Sequence, residues 1–272
     1  MVDIMKLKKA YTHAGVFHAD DVFATAFLLM INSKIEIKRT NKPPENYNDE
    51  VLVFDIGGGR YDHHEEDNKK ELREDGTPYA AFGKLWRDYS YYLAKKEVAD
   101  RVERDFVVPI DVADNTGEVN HLSSVIATMN PMWDEDANPQ EAFDDAVSMS
   151  KKILERCIAQ KESEERAREV VLASKVNEGV LVLKKYVPWK ETVVNEMPEI
   201  MFVAYPSLRG GYNLQTVPIN MDSKIGRVMF PEEWLGKTNA ELGITFCHPG
   251  NFLLSTKMMS QAINVAHLIL RK

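Results

Sequence analysis

The stretch YTHAGVFHADD, residues 11–21, places four potential metal ligands within nine residues. His13 ends a predicted strand, and His18, Asp20 and Asp21 stand where the following predicted helix begins. Open α/β sheets carry their sites outside the carboxyl ends of parallel strands, which makes this turn a candidate metal site. The alternative is that one aspartate caps the helix and that both histidines are incidental.

A second group of ligands follows the apolar segment VLVFDIGG, residues 51–58. Asp55 closes this predicted strand, and the tripeptide Asp-His-His at residues 62–64 comes seven to nine residues later. A carboxylate at the end of a buried strand is a common catalytic placement, whereas an aspartate before glycines can simply form a turn. Taken alone, His63 and His64 would indicate a solvated turn, because the charged run EEDNKK follows them directly.

Two further aspartates, Asp111 and Asp114, lie at the predicted end of the strand-like segment 107–115. Either could be a ligand, and the other could be a cap or a partner of a ligand. Carboxylates gathered in one place repel one another unless cations lie between them. Imidazole and carboxylate ligands without thiolate favour Mn²⁺, Mg²⁺ or Fe²⁺. Two such ions bridged by one aspartate would suit in-line displacement at phosphorus.

Predicted strands and helices alternate in the first half of the chain, and this alternation must bring the ligands together. The predicted strands are residues 8–13, 34–40 and 51–58. The predicted helices are the apolar run Asp20–Ile31 and residues 78–94, 97–108 and 122–129. This order favours an α/β fold with a mainly parallel sheet, assigned to a metal-binding catalytic domain at residues 1–140.

The second half of the chain begins with a predicted connecting helix at residues 141–177, which contains neither glycine nor proline. It is longer than the average globular helix and can connect two lobes. Short apolar strands and a closing helix then predict a smaller α/β domain at residues 178–272, which we expect to bind the substrate, with the site in the cleft between the lobes.

Two turns of this second domain are candidate anion sites. Arg209 stands beside Gly210 and Gly211, whose backbone amides could meet a phosphate. His248 and Gly250 precede a helix predicted to begin near residue 255, and helix N-termini bind anions. The alternatives are a surface charge and an ordinary turn. Further along, Arg227 is expected to be a solvated surface residue.

Composition limits the class of protein. Hydrophobic residues are 44 % and charged residues 28 % of the 272 residues, as in soluble globular proteins. The net charge of −8 argues against sequence-independent duplex binding, although bound cations would still attract a phosphate. The longest apolar run, Val22–Ile31, is too short to span a membrane. The N-terminus lacks the features of a signal peptide, and neither cysteine lies in a CxxC pair, so a cytoplasmic location is expected.

Four motifs in this order, THAGVFHADD, VFDIGG, YDHH and IDVADN, resemble those of the MYG (melanocyte-proliferating-gene, also called Gamm) family of metal-dependent hydrolases. That family is similar to the DHH phosphoesterase superfamily, which includes RecJ-type nucleases, nano-RNases and family II pyrophosphatases. The later segments GGYNLQTVP and FCHPGNFLLSTKMMSQAI resemble segments of the family's C-terminal lobe, less specifically than the four motifs do. The resemblance implies a DHH-like N-terminal domain and 3′–5′ exoribonuclease activity.

The resemblance also implies a role for each motif residue. The implied metal ligands are His13, His18, Asp20, Asp55 as the bridging carboxylate, His63, and Asp114 with Asp111 as its alternative. His64 would face the phosphate. The superfamily's first motif reads His-x-x-x-Asp-x-Asp, whereas His18 stands here in place of the first aspartate, after one extra residue. Only six residues link Asp55 to the Asp-His-His motif, where the family usually has a longer hairpin.

The leading hypothesis is therefore a phosphoesterase that uses two Mn²⁺ or Mg²⁺ ions per chain and metal-activated water. Its expected substrate is RNA or a short oligonucleotide, taken from an end. A first rival is the same chemistry on a small phosphate compound or pyrophosphate. A second rival is a non-catalytic metal or nucleotide sensor that retains the site.

Overall fold

The computed structural model describes residues 2–46, 48–64 and 71–271. The chain divides into two compact units, Met1–Glu162 and Ser163–Lys272. The division falls inside one long helix, and the predicted boundaries at residues 140 and 177 remain a prediction. Within the described ranges, no helix is both long enough and apolar enough to cross a membrane.

The first unit contains a parallel sheet of three strands in the order β2-β1-β3. The strands are β1 (Lys9–His13), β2 (Glu36–Thr40) and β3 (Val51–Val53). The helices are α1 (Ala19–Ile31), α2 (Ala81–Tyr89), α3 (Lys96–Val102), α4 (Val108–Thr116), α5 (His121–Ala127) and α6 (Pro139–Leu172). Short 3₁₀ turns at Ile4–Lys6 and Ser90–Tyr92 and a π-helical turn at Glu103–Val107 complete the unit. Because β1 is central, the side chains that follow it lie at the middle of the sheet edge.

The apolar run predicted as a buried helix is α1, which is buried from Ala19 to Leu28. It packs into a core formed with aromatic side chains of α2, among them Phe82 and Trp86. A helix that is apolar on all sides requires neighbours on all sides, so α1 fixes the frame on which the site residues stand.

Residues 108–115 form most of helix α4, and Val107 ends the π-helical turn before it, so the strand predicted at 107–115 is wrong. Val107 and Ile110 are buried three residues apart, which is helical spacing. Pro109 lies in the first turn of α4, directly after the π-helical turn, and Gly117 ends the helix in the left-handed conformation at φ 74°. The run of β-branched residues concealed this period.

The second unit contains a mixed sheet of six strands in the order β4-β5-β6-β7-β9-β8. The strands are β4 (Lys175–Asn177), β5 (Val180–Val182), β6 (Phe202–Pro206), β7 (Tyr212–Thr216), β8 (Ile244–Cys247) and β9 (Leu253–Thr256), with helices α7 (Lys190–Glu196) and α8 (Met259–Leu270) and a 3₁₀ turn at Glu232–Trp234. Only β5 and β6 are parallel. Alternate residues of β6 pack into two separate cores, Phe202 with α8 and Val203 with α7. With its parallel and mixed sheets, the chain has the predicted α/β class.

Two sequence predictions for this unit are wrong. The long helix ends at Leu172 rather than near Asn177, because Lys175–Asn177 pair as strand β4 with β5. Glu178 and Gly179, at φ 46° and 82°, form the tight turn between these two strands. Arg227 is not a solvated surface residue. Its guanidinium donates to the carbonyls of Met197 and Ile200 at 2.8 Å and of Val194 at 2.9 Å, beyond and at the C-terminal end of α7.

Candidate metal site

The carboxyl ends of β1 and β3 bring His13 and Asp55 together. His13 is the last residue of β1, and Asp55 follows β3 in a left-handed conformation at φ 54° that aspartate tolerates better than most residues. The His13 Nε2 atom lies 3.3 Å from Asp55 Oδ2. Since His13 Nδ1 contacts the Ala14 carbonyl at 3.1 Å, that nitrogen carries a proton, and Nε2 is directed towards the carboxylates.

Asp21 faces the same imidazole nitrogen. Its Oδ2 atom is 3.3 Å from His13 Nε2, and its Oδ1 atom accepts a hydrogen bond from the His18 backbone N–H at 2.8 Å. The Asp21 Oδ2 atom is buried and accepts no hydrogen bond. A buried carboxylate oxygen without a donor is costly, so a cation between Asp21, His13 and Asp55 would remove that cost.

His63 lies at the centre of a second group of carboxylates. Its Nε2 atom is 2.9 Å from Asp55 Oδ1, 3.2 Å from Asp114 Oδ2 and 3.9 Å from Asp20 Oδ2. The potential ligand atoms of Asp20, His63 and Asp114 all lie within 4.8 Å of one another. The same holds for those of His13, Asp21 and Asp55, and for those of Asp55, His63 and His64. One carboxylate oxygen of Asp55 therefore faces His13, and the other faces His63.

Asp20 also has a structural contact. Its two carboxylate oxygens accept the backbone N–H groups of Ala81 at 3.0 Å and Phe82 at 2.8 Å, in the first turn of α2. Burial, together with the negative charges of Asp55 and Asp114, raises the pKa of Asp20 well above its usual range. The sequence motif did not reveal this contact, because α2 lies sixty residues further along the chain.

His64 is held by the aspartate of its own motif. Asp62 Oδ1 accepts from His64 Nδ1 at 2.9 Å, and Asp62 Oδ2 accepts from the Gly58 N–H at 2.6 Å. The hydrogen bond to Asp62 raises the pKa of His64, whose side chain is 62 % exposed. Lys84 is only 2 % exposed and donates to the Asp62 carbonyl at 2.7 Å. Sequence reasoning missed Lys84, since a lysine in an amphipathic helix usually indicates its solvated face.

Asp111 and Asp114 have different environments although they lie three residues apart on α4. Asp114 Oδ2 faces His63, as described above. Asp111 instead accepts from Arg73 at 2.6 Å and from the Gly83 N–H at 3.1 Å. A Cβ atom on Gly83 would lie 1.8 Å from Asp111 Oδ2, so only glycine fits there. Asp111 belongs to no group of potential metal ligands among the described residues.

The buried charges of the site shift one another's pKa values. Burial raises the pKa of Asp21 to about 7, and burial also raises that of Asp114. The hydrogen bond to Asp55 raises the pKa of His13 to about 9. Burial favours the neutral form of Asp55, but hydrogen bonds from His13 and His63 outweigh it and lower the pKa of this carboxyl. Without metal, protons held by His13 and by buried aspartates such as Asp21 therefore offset part of the negative charge of this site.

Two hollows open onto the cluster. One, of about 670 Å³, is bordered by His63, Asp114 and residues of α4 and α5. The other, of about 410 Å³, is bordered by His13, Asp55 and Gly57. His18 and His64 line both hollows, so both are placed to meet a molecule that enters from either side. The charged run EEDNKK, predicted to be solvated, lies outside the described residues.

Comparison with known proteins identifies the family. The profile MYG1_exonuc, described as "Uncharacterised protein family (UPF0160)", matches residues 9–270. The chain belongs to this family. It is 26 % identical to the MYG1 exonuclease of Mus musculus over 98 % of this chain and 86 % of that relative. It is 28 % identical to a MYG1 protein of Chlamydia pneumoniae over 89 % of each chain, and 24 % identical to a MYG1 protein of Saccharomyces cerevisiae over 97 % and 96 % respectively. No solved structure matches the chain.

The substrate-binding residues predicted in the second unit of this MYG1 family member lie in two separate turns. Arg209, Gly210 and Gly211 join β6 to β7, beside Thr256, whereas His248 and Gly250 join β8 to β9. Tyr212 pairs with Thr256 and Gln215 with Leu253, so the two turns are at opposite ends of β7. They are therefore too far apart to bind one phosphate together.

Neither turn stands at a helix N-terminus. The helix predicted near Ser255 begins at Met259, because Leu253–Thr256 is strand β9. The His248 Nδ1 atom accepts the Gly250 N–H at 2.9 Å, so this amide already has a partner within the turn. Arg209 is exposed, and Gly211 is needed because a Cβ atom there would lie 2.4 Å from the Thr256 carbonyl oxygen.

Proposed function

We propose that this protein is a divalent-metal-dependent phosphodiester hydrolase that acts as a 3′–5′ exoribonuclease or on short oligonucleotides. The observation that carries the proposal is the position of Asp55, whose Oδ2 lies 3.3 Å from His13 Nε2 and whose Oδ1 lies 2.9 Å from His63 Nε2. One carboxylate shared between two groups of ligands is what a two-metal phosphoesterase needs. Family membership supports the proposal, because the relative from Mus musculus that is 26 % identical to this chain is named an exonuclease.

The donor set fits two Mn²⁺ or Mg²⁺ ions, because it consists of imidazole nitrogens and carboxylate oxygens without thiolate. The predicted ligands that lie in these groups are His13, Asp20, Asp55, His63 and Asp114, and His64 lies in one group with Asp55 and His63. The metal ions, when bound, would activate water and neutralise the phosphoryl oxygens. The unpartnered Asp21 Oδ2 atom supports the presence of a cation on the His13 side.

In this proposal the chain's own residues orient the substrate. Asp62 accepts from His64 Nδ1 and raises the pKa of the ring, so in the protonated, exposed imidazolium the opposite nitrogen can donate to a phosphoryl oxygen. Arg209, Gly210 and Gly211 form one candidate contact with the rest of the substrate, and His248 and Gly250 form another. A DHH-like arrangement, with a catalytic domain at 1–140 and a substrate-binding domain at 178–272, also belongs to this proposal.

The lining of the hollows favours an oligonucleotide over pyrophosphate. Among the described residues, no lysine or arginine lines either hollow, whereas Asn120 and Ser124 line the larger one. Pyrophosphate carries its negative charge on both sides of the bridging oxygen and needs cations along its whole length. An oligonucleotide instead has an uncharged nucleoside next to the reacting phosphate, and neutral hydrogen-bonding side chains such as Asn120 and Ser124 suit that nucleoside.

The test is hydrolysis of short RNA, short DNA, dinucleotides and pyrophosphate by the whole chain supplemented with Mn²⁺. We expect turnover of the oligonucleotides, with RNA labelled at the 5′ end shortened from its 3′ end. Asp55→Ala and His63→Ala should each abolish turnover, while the exposed Asp134→Asn variant should retain it.

Turnover of pyrophosphate alone would support the small-phosphate rival. Bound metal without turnover of any substrate would support the sensor. Absence of bound metal together with no activation by Mn²⁺ would refute the hydrolase proposal.

A further inference from the structure

We infer that Asp21, and not His18, completes the metal position beside His13, which leaves the His18 imidazole to face the substrate. This inference rests on the proposed function and changes its ligand assignment. The motif resemblance gave His18 the ligand role and gave Asp21 none.

The first argument is the contact pattern of Asp21. Its carboxyl group is fully buried, and its Oδ1 atom is already bound to the His18 N–H. Its Oδ2 atom points at the nitrogen of His13 that also faces Asp55 and has no hydrogen-bond donor of its own. Three ligand atoms thus converge on one small volume, and one of them has nothing else to bind.

The second argument is the position of His18. It is the exposed residue that precedes α1, and its ring centroid lies 5.8 Å from that of His13. None of the groups of close ligand atoms among the described residues contains it. Its ring instead borders both hollows, where a substrate would enter.

The backbone on either side of His18 is held in this arrangement. Asn130 accepts from the Phe17 N–H at 3.0 Å and donates to the Phe17 carbonyl at 2.8 Å. Together with the hydrogen bond from the His18 N–H to Asp21, these contacts fix the segment that carries the ring. Asp21 therefore has two functions: one oxygen positions the His18 backbone, and the other is free for metal.

The chemistry of the two side chains agrees with Asp21 as the metal ligand and His18 as the residue that faces the substrate. An aspartate contributes a negative charge to the metal, which a neutral imidazole does not. An imidazole at the mouth of the site can donate a hydrogen bond to a phosphoryl oxygen or to the leaving oxygen, which an anionic carboxylate cannot. Exchanging the roles of the two residues would place the carboxylate where the phosphate must approach.

The test compares Asp21→Asn with His18→Gln by the Mn²⁺ content of the whole protein and by titration calorimetry. Asn keeps an oxygen for the His18 N–H and removes a buried charge whose second oxygen has no donor, so the metal-free variant should unfold at or above the wild-type temperature. Asp21→Asn should reduce the Mn²⁺ content from two ions to one, or weaken the affected site at least about 100-fold, since even outer partners of a ligand change affinity 10- to 100-fold.

His18→Gln should keep both ions and lower kcat/KM on the oligonucleotide. His121→Gln, at another exposed histidine, and Asp134→Asn are the matched controls and should change neither quantity. Anomalous diffraction from Mn²⁺-loaded wild-type crystals should place an ion within about 2.0–2.6 Å of Asp21 Oδ2 and beyond that distance from His18.

The opposite pattern, in which His18→Gln loses an ion and Asp21→Asn keeps two, would overturn the inference, as would an anomalous peak on the His18 ring. Both outcomes leave the proposed function intact, because the wild type still binds two ions. If the wild type binds no Mn²⁺ at all, the proposed function fails as well.

Discussion

Asp111 and Asp114 should respond in opposite ways to the same substitution. Asp111→Asn at pH 8 should destabilise the chain with little direct effect on the metal ligands, whereas Asp114→Asn should weaken Mn²⁺ binding and leave the metal-free stability unchanged or higher. The reason is that Asp111 binds Arg73, whose side chain is only 9 % exposed, while Asp114 faces His63.

The magnitude follows from the contacts that Asp111 makes. One oxygen accepts from Arg73 and the other from Gly83, and an amide would turn a donor towards one of them. Removing one partner of a buried ion pair costs about 3–5 kcal/mol, and Arg73 retains Glu103 at 3.0 Å, so we take the lower value of about 3 kcal/mol. For a chain of this size the midpoint of thermal unfolding should fall by about 6–12 °C.

The assay is thermal unfolding followed by circular dichroism in chelator at pH 8. At this pH Asp111 is ionised, although burial raises its pKa to about 7. Replacing both charged partners, in Arg73→Met with Asp111→Leu, should restore only part of the loss, because apolar pairs often replace buried ion pairs without cost but the Gly83 N–H still lacks its acceptor. An unchanged unfolding temperature in Asp111→Asn, combined with loss of a metal ion, would show that Asp111 is the ligand and that this reasoning is wrong.

Three further outcomes are expected. In chelator, the free energy of unfolding should fall as pH rises from about 4 to 7, because aspartates such as Asp21, with a pKa raised to about 7, bind more protons in the folded than in the unfolded chain. Mn²⁺ should abolish this fall, and thermal unfolding between pH 5 and 8, with and without Mn²⁺, measures both effects. Lys84→Met should weaken Mn²⁺ binding about 10- to 100-fold in calorimetry, because Lys84 holds the carbonyl that precedes His63, whereas the exposed Lys95→Met should not; equal affinities would exclude a positioning role. Arg227→Ala should destabilise the second unit by at least about 2 kcal/mol in urea unfolding, since charged hydrogen bonds contribute about 1.5–3 kcal/mol each. The exposed Arg209→Ala should change stability little, and similar losses in both variants would contradict the role of Arg227 in binding the carbonyls at the end of α7.

The side chains that could be located from the sequence are those that follow strands. His13 and Asp55 follow parallel neighbours in the sheet, so their proximity depends only on strand order. His63 is brought to Asp55 by a turn of a few residues, which the glycines at 57–59 indicated. These predictions needed only local periodicity and the rule that carboxyl ends of parallel strands meet at one edge.

Other features depended on distant partners and could not be predicted. The choice between Asp111 and Asp114 depends on Arg73, thirty-eight residues earlier, and on whether 107–115 is a strand or a helix. The strand prediction failed because β-branched residues are as compatible with a buried helix face as with a strand when tertiary contacts decide. Helix α7 and strand β9 were missed because each is short and is stabilised by contacts with its neighbours in the fold.

The carboxylates of the site can be sorted by the donors that the chain supplies to them. Both oxygens of Asp111 accept a hydrogen bond from Arg73 or Gly83, and Asp111 belongs to no group of close ligand atoms among the described residues. Asp20 also accepts two amide N–H groups of α2, but its carboxylate still lies in one group with His63 and Asp114. Asp21 has one oxygen satisfied and one free, and the described partners of Asp55 are imidazoles of the two motifs. A motif shows only which residues are acidic, whereas the donors and the other ligand atoms around each carboxylate together distinguish Asp111, which holds α2 and Arg73, from the carboxylates that are left to bind a cation.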